Sequence, residues 1–326
     1  MLFLIIAMAA ATGLFFWLNR HEFSVLRCPI LLYHRFVHRP EDMARYPGTE
    51  NIFTITAERF DAQMKLIKER GYTPIGLQAI AEFVARGRPL PPRPIAVTVD
   101  DGWASILNVM LPILRKHGIK ASFFVTTSPA SWIYRKFEGL DGPLSREDVA
   151  MLAAEGHEIG SHSVTHPHLI ELDDEAIRRE FVDSKRWIEE ATGRPCPYLS
   201  IPGNFYSPHI GRIARDCGYQ AVFTSNVGSV RSGTSLWDIP RLIVEGNFSL
   251  PEFEANLRPF TICTRKLILA LKQVPPRLMG ASRYVAIRER LFNSPLRALF
   301  IMRRLKMIAL ALVLLLVGAA LYLASR

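Results

Sequence analysis

What most constrains the fold of this chain is a strand that runs out into two carboxylates. Ile95-Ala96-Val97-Thr98-Val99 is an apolar, mostly β-branched run, and it stops at Asp100-Asp101-Gly102. A short apolar run closed by turn residues reads as a buried strand. Some sixty residues further on stand His162 and His166, four apart, in Ser161-His162-Ser163-Val164-Thr165-His166-Pro167. Two imidazoles and one carboxylate are a common three-ligand set for a catalytic divalent metal, with a position left open for water. The second carboxylate is then left over as a base.

The surrounding sequence has a regular rhythm. Pro29-Ile30-Leu31-Leu32-Tyr33 reads as a strand with His34 at its end. Thr56 is placed to cap a helix through Phe60, Met64 and Leu66-Ile67, which Gly71 closes. A shorter helix over Leu77 to Val84 leads into a proline-rich link. Ile106 to His117 is apolar at helical spacing, and Ala121 to Val125 is the next strand. Helices near Ser145 to Glu155 and over Asp174 to Ala191 flank a strand at His157 to Ile159; further strands are expected at Tyr198 to Ile201, Ala221 to Thr224 and Leu242 to Val244. Strands alternating with helices point to an α/β fold with a parallel sheet. In barrels of that class the chemistry sits where strands end. From about Leu250 the alternation fades.

Each piece also has a plain structural explanation. Asp-Gly is a common turn pair. A lone histidine more often packs than ligates, although His157, His162, His166 and His168 fall within twelve residues. His157 and His168 read as structural. Adjacent carboxylates in an extended segment point opposite ways, so one can face a metal and the other the reacting water. Trp103 and Trp237 suit either a sugar face or the core.

In combination the motifs are more specific. Thr98-Val99-Asp100-Asp101-Gly102, followed by Gly156-His157-Glu158-Ile159-Gly160-Ser161-His162-Ser163-Val164-Thr165-His166-Pro167, resembles the polysaccharide deacetylases, the chitin-deacetylase-like group. The likeness spans roughly residues 27 to 245 and includes Phe124-Val125 and Gly218-Tyr219. It implies a distorted (β/α) barrel and an N-acetylated sugar substrate. It makes Asp100 the general base, and it makes Asp101, His162 and His166 the ligands of a divalent metal, usually Zn2+. The commonest members take their acid from a late Leu-x-x-His, yet no histidine follows His209 here. Leu31-Leu32-Tyr33-His34 resembles instead the permuted members, whose early histidine is the acid. The family's usual arginine is missing from Ser200-Ile201-Pro202-Gly203, and Arg241 is the candidate to replace it by pairing with Asp100.

Two apolar segments set the rest. Leu2 to Leu18 and Met307 to Leu323 carry no charge, and each approaches the ~17 residues that span a bilayer. The first has no Lys or Arg ahead of it, which favours an uncleaved anchor over a signal peptide. Between Arg265 and Lys306 stand eleven Lys or Arg against Glu289, so this stretch holds the whole net charge of +10. Lying just before a span, it suits anionic lipid rather than nucleic acid. The expected organisation is an anchor over 1–18, a catalytic domain over 19–250, a basic amphipathic segment over 251–304 and a transmembrane helix over 305–325. The chain is thus expected to be integral to a bacterial-type cell membrane, with N-acetylated glycan or glycolipid as substrate. The flanking charges place the domain on the cytoplasmic side, whereas similar deacetylases mostly act outside; in a domain this long the charge rule is weak. The competing functions are an amidase on peptidoglycan or a non-sugar amide, and a glycan-binding barrel without turnover.

Overall fold

The computed structural model describes residues 27–46 and 52–268, together with Gly13, Trp17 and Phe23. Apart from Gly13 and Trp17, the expected membrane segments 1–18 and 305–325 lie outside them, as does most of the basic segment. Among the described residues no helix is long and apolar enough to cross a membrane. Val25–Arg258 forms one compact unit, and it carries every candidate site residue.

Ten strands follow in chain order: β1 Ile30–Tyr33, β2 Arg35–Val37, β3 Thr54–Thr56, β4 Thr73–Pro74, β5 Pro94–Val99, β6 Ser122–Val125, β7 Glu158–Ser161, β8 Tyr198–Ser200, β9 Ala221–Phe223 and β10 Leu242–Ile243. The main sheet is parallel, in the order β10-β1-β5-β6-β7-β8-β9, with β4 beside the start of β5. Every residue of β1, β5 and β6 is buried. That burial on both faces explains why these strands read as unbroken apolar runs. The sheet curls into an incomplete barrel. One irregular segment ties its edges: Ile239 bridges Phe223 at the end of β9, and three residues later Leu242 pairs with Leu31 of β1. All the parallel strands deliver their C-terminal ends to one rim.

Helices cover the outside. Thr56 caps α1, Ala57–Glu69, by accepting the Arg59 N–H; Ser145 caps α5, Arg146–Ala154; Asp173 caps α6, Asp174–Thr192. The helix expected over Ile106 to His117 is in two parts, a π-helical turn Ile106–Met110 and then α3, Leu111–His117. The cause is Pro112, which has no N–H to continue the ladder and whose ring crowds the preceding turn. Between α1 and α3 lies α2, Leu77–Arg86, and after α3 comes the single turn α4, Trp132–Arg135. Helix α7, Pro208–Asp216, and helix α8, Leu250–Asn256, extend the pattern beyond what the sequence predicts. The parallel pair of β2 and β3 is also new, because three-residue strands leave no periodic signal.

Candidate active site

The rim collects the site. His34 follows β1, Asp100 and Asp101 follow β5, His162 follows β7, Ser200 ends β8, and Arg241 lies in the segment that ties β9 to β1. His34, Asp100, Asp101, His162 and His166 line a cavity of about 240 Å³ whose wall includes Phe53, Trp132 and Asn204; Ser200 and Arg241 are buried behind it.

Asp101 and Gly102 both have positive φ, at 75° and 82°, and the Gly102 N–H returns to the Asp100 carbonyl. Three residues thus reverse the chain, and glycine accepts that conformation where a Cβ would come within 3.0 Å of Val125. This corrects the expectation of opposed carboxylates. The turn brings both round to one imidazole: His162 Nε2 is 3.8 Å from Asp100 Oδ2 and 3.5 Å from Asp101 Oδ1. The strain is held by Tyr134, whose hydroxyl donates to the Asp101 carbonyl, and by the Thr126 N–H on the same oxygen.

The two histidines lie in a loop, with Ser163 and His166 at positive φ. Glu180 of α6 organises it by accepting the Val164 and Thr165 N–H groups and the Thr165 hydroxyl. Asp101 Oδ1, His162 Nε2 and His166 Nε2 converge, with Oδ1 3.5 and 3.6 Å from the two nitrogens. Ligands 2.0–2.1 Å from a tetrahedral ion stand about 3.4 Å apart. The chemistry of the donors also fits a cation. His162 Nδ1 lies 2.9 Å from the Ser200 carbonyl, which only accepts, so Nδ1 donates there and Nε2 is the ring nitrogen turned toward Asp101. Two imidazole nitrogens and a carboxylate oxygen are a donor set that suits a divalent cation. Burial and the neighbouring His162 push His166 down to about 4, which keeps it in the neutral form that binds metal.

Asp100 is fully enclosed. Arg241, itself buried, grips both its oxygens at 2.7 Å, and Ser200 Oγ donates to Oδ2 at 2.8 Å. Burial works to raise this carboxyl, but the Arg241 guanidinium, with His162, overrides it and holds the group below the usual carboxylate range. Arg241 also donates to the Thr224 carbonyl and the Thr98 hydroxyl. This is the pairing expected of Arg241, made across 141 positions of sequence. His34 lines the cavity against the Phe53 ring, its Nδ1 buried without a hydrogen-bond partner, and burial lowers its pKa.

The alternatives left open for the tryptophans are decided by burial. Trp103 is 1% exposed and donates Nε1–H to Asp101 Oδ2 at 2.9 Å, so it offers no face to a sugar. The open aromatic face at the cavity is Trp132, which is 43% exposed and donates to the His166 carbonyl. Trp237 is not part of the cavity wall. His157 sits at the far end of β7, where it accepts the Ala121 N–H, and His168 packs on Phe205.

The curled α/β barrel thus gathers three donors able to hold a cation beside a buried carboxylate, at the C-terminal rim of its strands. Residues 87–222 match the family model for polysaccharide deacetylase. Over 231 residues it is 23% identical to YxkH of Bacillus subtilis, covering 71% of this chain and 76% of the relative. Over 132 residues it is 27% identical to a peptidoglycan-N-acetylglucosamine deacetylase of Bacillus cereus, covering 40% of this chain and 56% of that protein. The fold is shared with the Streptococcus pyogenes deacetylase PplD, solved in complex with acetate, at a TM-score of 0.62 and 22% identity; the match covers 72% of this chain and 99% of that one. This chain thus spans little more than half of one curated relative and about three quarters of the other.

Proposed function

We propose that the protein hydrolyses the N-acetyl group of an amino sugar in a glycan held near a membrane. The reading is carried by one observation: Asp101, His162 and His166 present three donors within 4.8 Å of one another, next to a second, buried carboxylate. A bound divalent ion, zinc in the usual case, would supply Lewis-acid polarisation of the acyl oxygen and acidify water. Asp101, His162 and His166 hold that ion. Asp100 accepts a proton from the attacking water, and Arg241 and Ser200 fix its direction. The depressed pKa keeps Asp100 ionised, and therefore able to accept, throughout the neutral range. His34, on the neighbouring strand end, passes to the departing amine the proton that the attacking water gives up, since burial disfavours a ring already charged. Trp132 supplies a flat apolar face for a sugar ring at the mouth. The N-acetylglucosamine specificity of the Bacillus cereus relative supports an amino sugar. The uncharged segments over residues 2–18 and 307–323, and the basic stretch before the second, motivate an integral location, anionic lipid contact and a lipid-linked substrate.

The test is acetate release from N-acetylglucosamine oligomers by the full chain, with and without a chelator. Release that stops on chelation and returns with Zn2+ is expected. Asp100→Asn should abolish turnover while Zn2+ still binds, and His162→Ala should lose both. Turnover retained in the Asn variant would overturn the assignment of the base. Binding of oligomers without any release would replace the enzyme with a glycan-binding barrel.

A further inference from the structure

Asp101 has two oxygens, and the fold treats them differently. Oδ1 faces His162 Nε2 and His166 Nε2 at 3.5 and 3.6 Å. Oδ2 accepts the indole N–H of Trp103 at 2.9 Å. The indole belongs to a rigid stack. The Arg35 guanidinium lies 4.0 Å from the Trp103 ring centroid, and the Phe137 and Tyr46 rings close round the same guanidinium at 4.1 and 4.5 Å. Tyr134 meets Trp103 edge-on, with centroids 5.0 Å apart, and its hydroxyl holds the Asp101 carbonyl. Arg35 is 2% exposed and Trp103 1%, so neither side chain has room to turn away. A cation over the indole face draws density from the ring and strengthens its N–H as a donor.

We infer that Trp103 is a positioning residue: its N–H occupies Asp101 Oδ2 and leaves Oδ1 alone to ligate the ion. The inference rests on the proposal that Asp101, His162 and His166 hold a divalent cation, and it adds what fixes the carboxylate. Without the indole donor, Asp101 is free to rotate about its Cβ–Cγ bond, and Oδ1 is no longer held toward His162 and His166. Partners that orient a ligand in this way usually contribute 10–100-fold in metal affinity. The sequence offers no sign of it, since Asp-Asp-Gly-Trp could as easily bury its indole for packing alone.

The experiment measures Zn2+ affinity of the full chain by competition with a chromophoric chelator. Two changes are compared. Trp103→Phe keeps an aromatic ring under Arg35 and deletes the donor. Replacement of Trp103 by 3-benzothienylalanine keeps the bicyclic shape and exchanges N–H for sulfur, so it decides the matter if the Phe variant does not fold. The expected result is a Kd for Zn2+ raised at least tenfold in the sulfur analogue, with the melting temperature of the metal-free protein unchanged. The Co2+-loaded analogue should show an altered visible spectrum, because its carboxylate is no longer fixed. A Kd within twofold of the unaltered chain, or a loss confined to Trp103→Phe, would overturn the inference and leave Trp103 as packing. If the unaltered chain binds no Zn2+, the cation centre itself falls.

Discussion

Arg241→Met is the perturbation that probes the site most directly. The Arg241 guanidinium makes five hydrogen bonds, two to Asp100 and one each to Ser200, Thr98 and the Thr224 carbonyl, and it is fully buried. Methionine fills similar space but leaves the Asp100 carboxylate buried with only the Ser200 hydroxyl among these partners. Removing one partner of a buried ion pair costs about 3–5 kcal/mol. With a urea slope of about 2–3 kcal/mol/M, the unfolding midpoint should fall by roughly 1.5 M. The sign with pH follows from the depressed pKa of Asp100. Its stabilising contribution is present above the unfolded carboxyl value of about 3.9 and is lost as pH falls through the lower folded value. The stability difference between variant and parent should therefore be largest at neutral pH and shrink below about pH 4. The acidic limb of the acetate-release profile should move upward, because burial then acts on Asp100 unopposed by the guanidinium. Adding Asp100→Asn to Arg241→Met should recover part of the lost stability, since it removes the stranded charge. A midpoint shift under about 0.3 M, or a double variant no more stable than the single one, would refute the account.

Two further outcomes test parts that sit outside the reacting centre. His157 is 3% exposed, and burial, with Lys120, pushes it down to about 4. Its neutral form is favoured in the fold, so stability should be lost as pH falls from about 6.5 toward 4, by up to about 3 kcal/mol. His157→Gln keeps an acceptor for the Ala121 N–H and should flatten that loss in urea titrations; an unchanged acid slope would reject it. Glu180→Ala removes the three contacts that organise the histidine loop. It should lower stability by about 2 kcal/mol and weaken Zn2+ binding about tenfold; unchanged Zn2+ affinity would show that the loop holds its shape without Glu180.

The local elements were largely legible. Apolar runs such as Ile95 to Val99 and Phe123-Phe124-Val125 record burial on both faces of a parallel sheet, and caps such as Thr56 and Ser145 mark helix starts. The π-helical turn before Pro112 departs from the simple helical spacing because a proline cannot donate. Strands of three residues, β2 and β3, carry too few positions for a period to show.

The sequence alone determined the chemical inventory, two carboxylates and two histidines in strand-end motifs, because a motif is local and each residue type has fixed donors. Only the tertiary structure decided how they act together. The left-handed turn at Asp101 aims both carboxylates at His162, and the segment that ties the barrel carries Arg241 to Asp100 across 141 positions. Trp103 is buried under Arg35 and donates to Asp101, so it is no platform for a sugar. These depend on which strand ends share a rim, and a one-dimensional pattern records what a residue can offer but not which distant partner receives it.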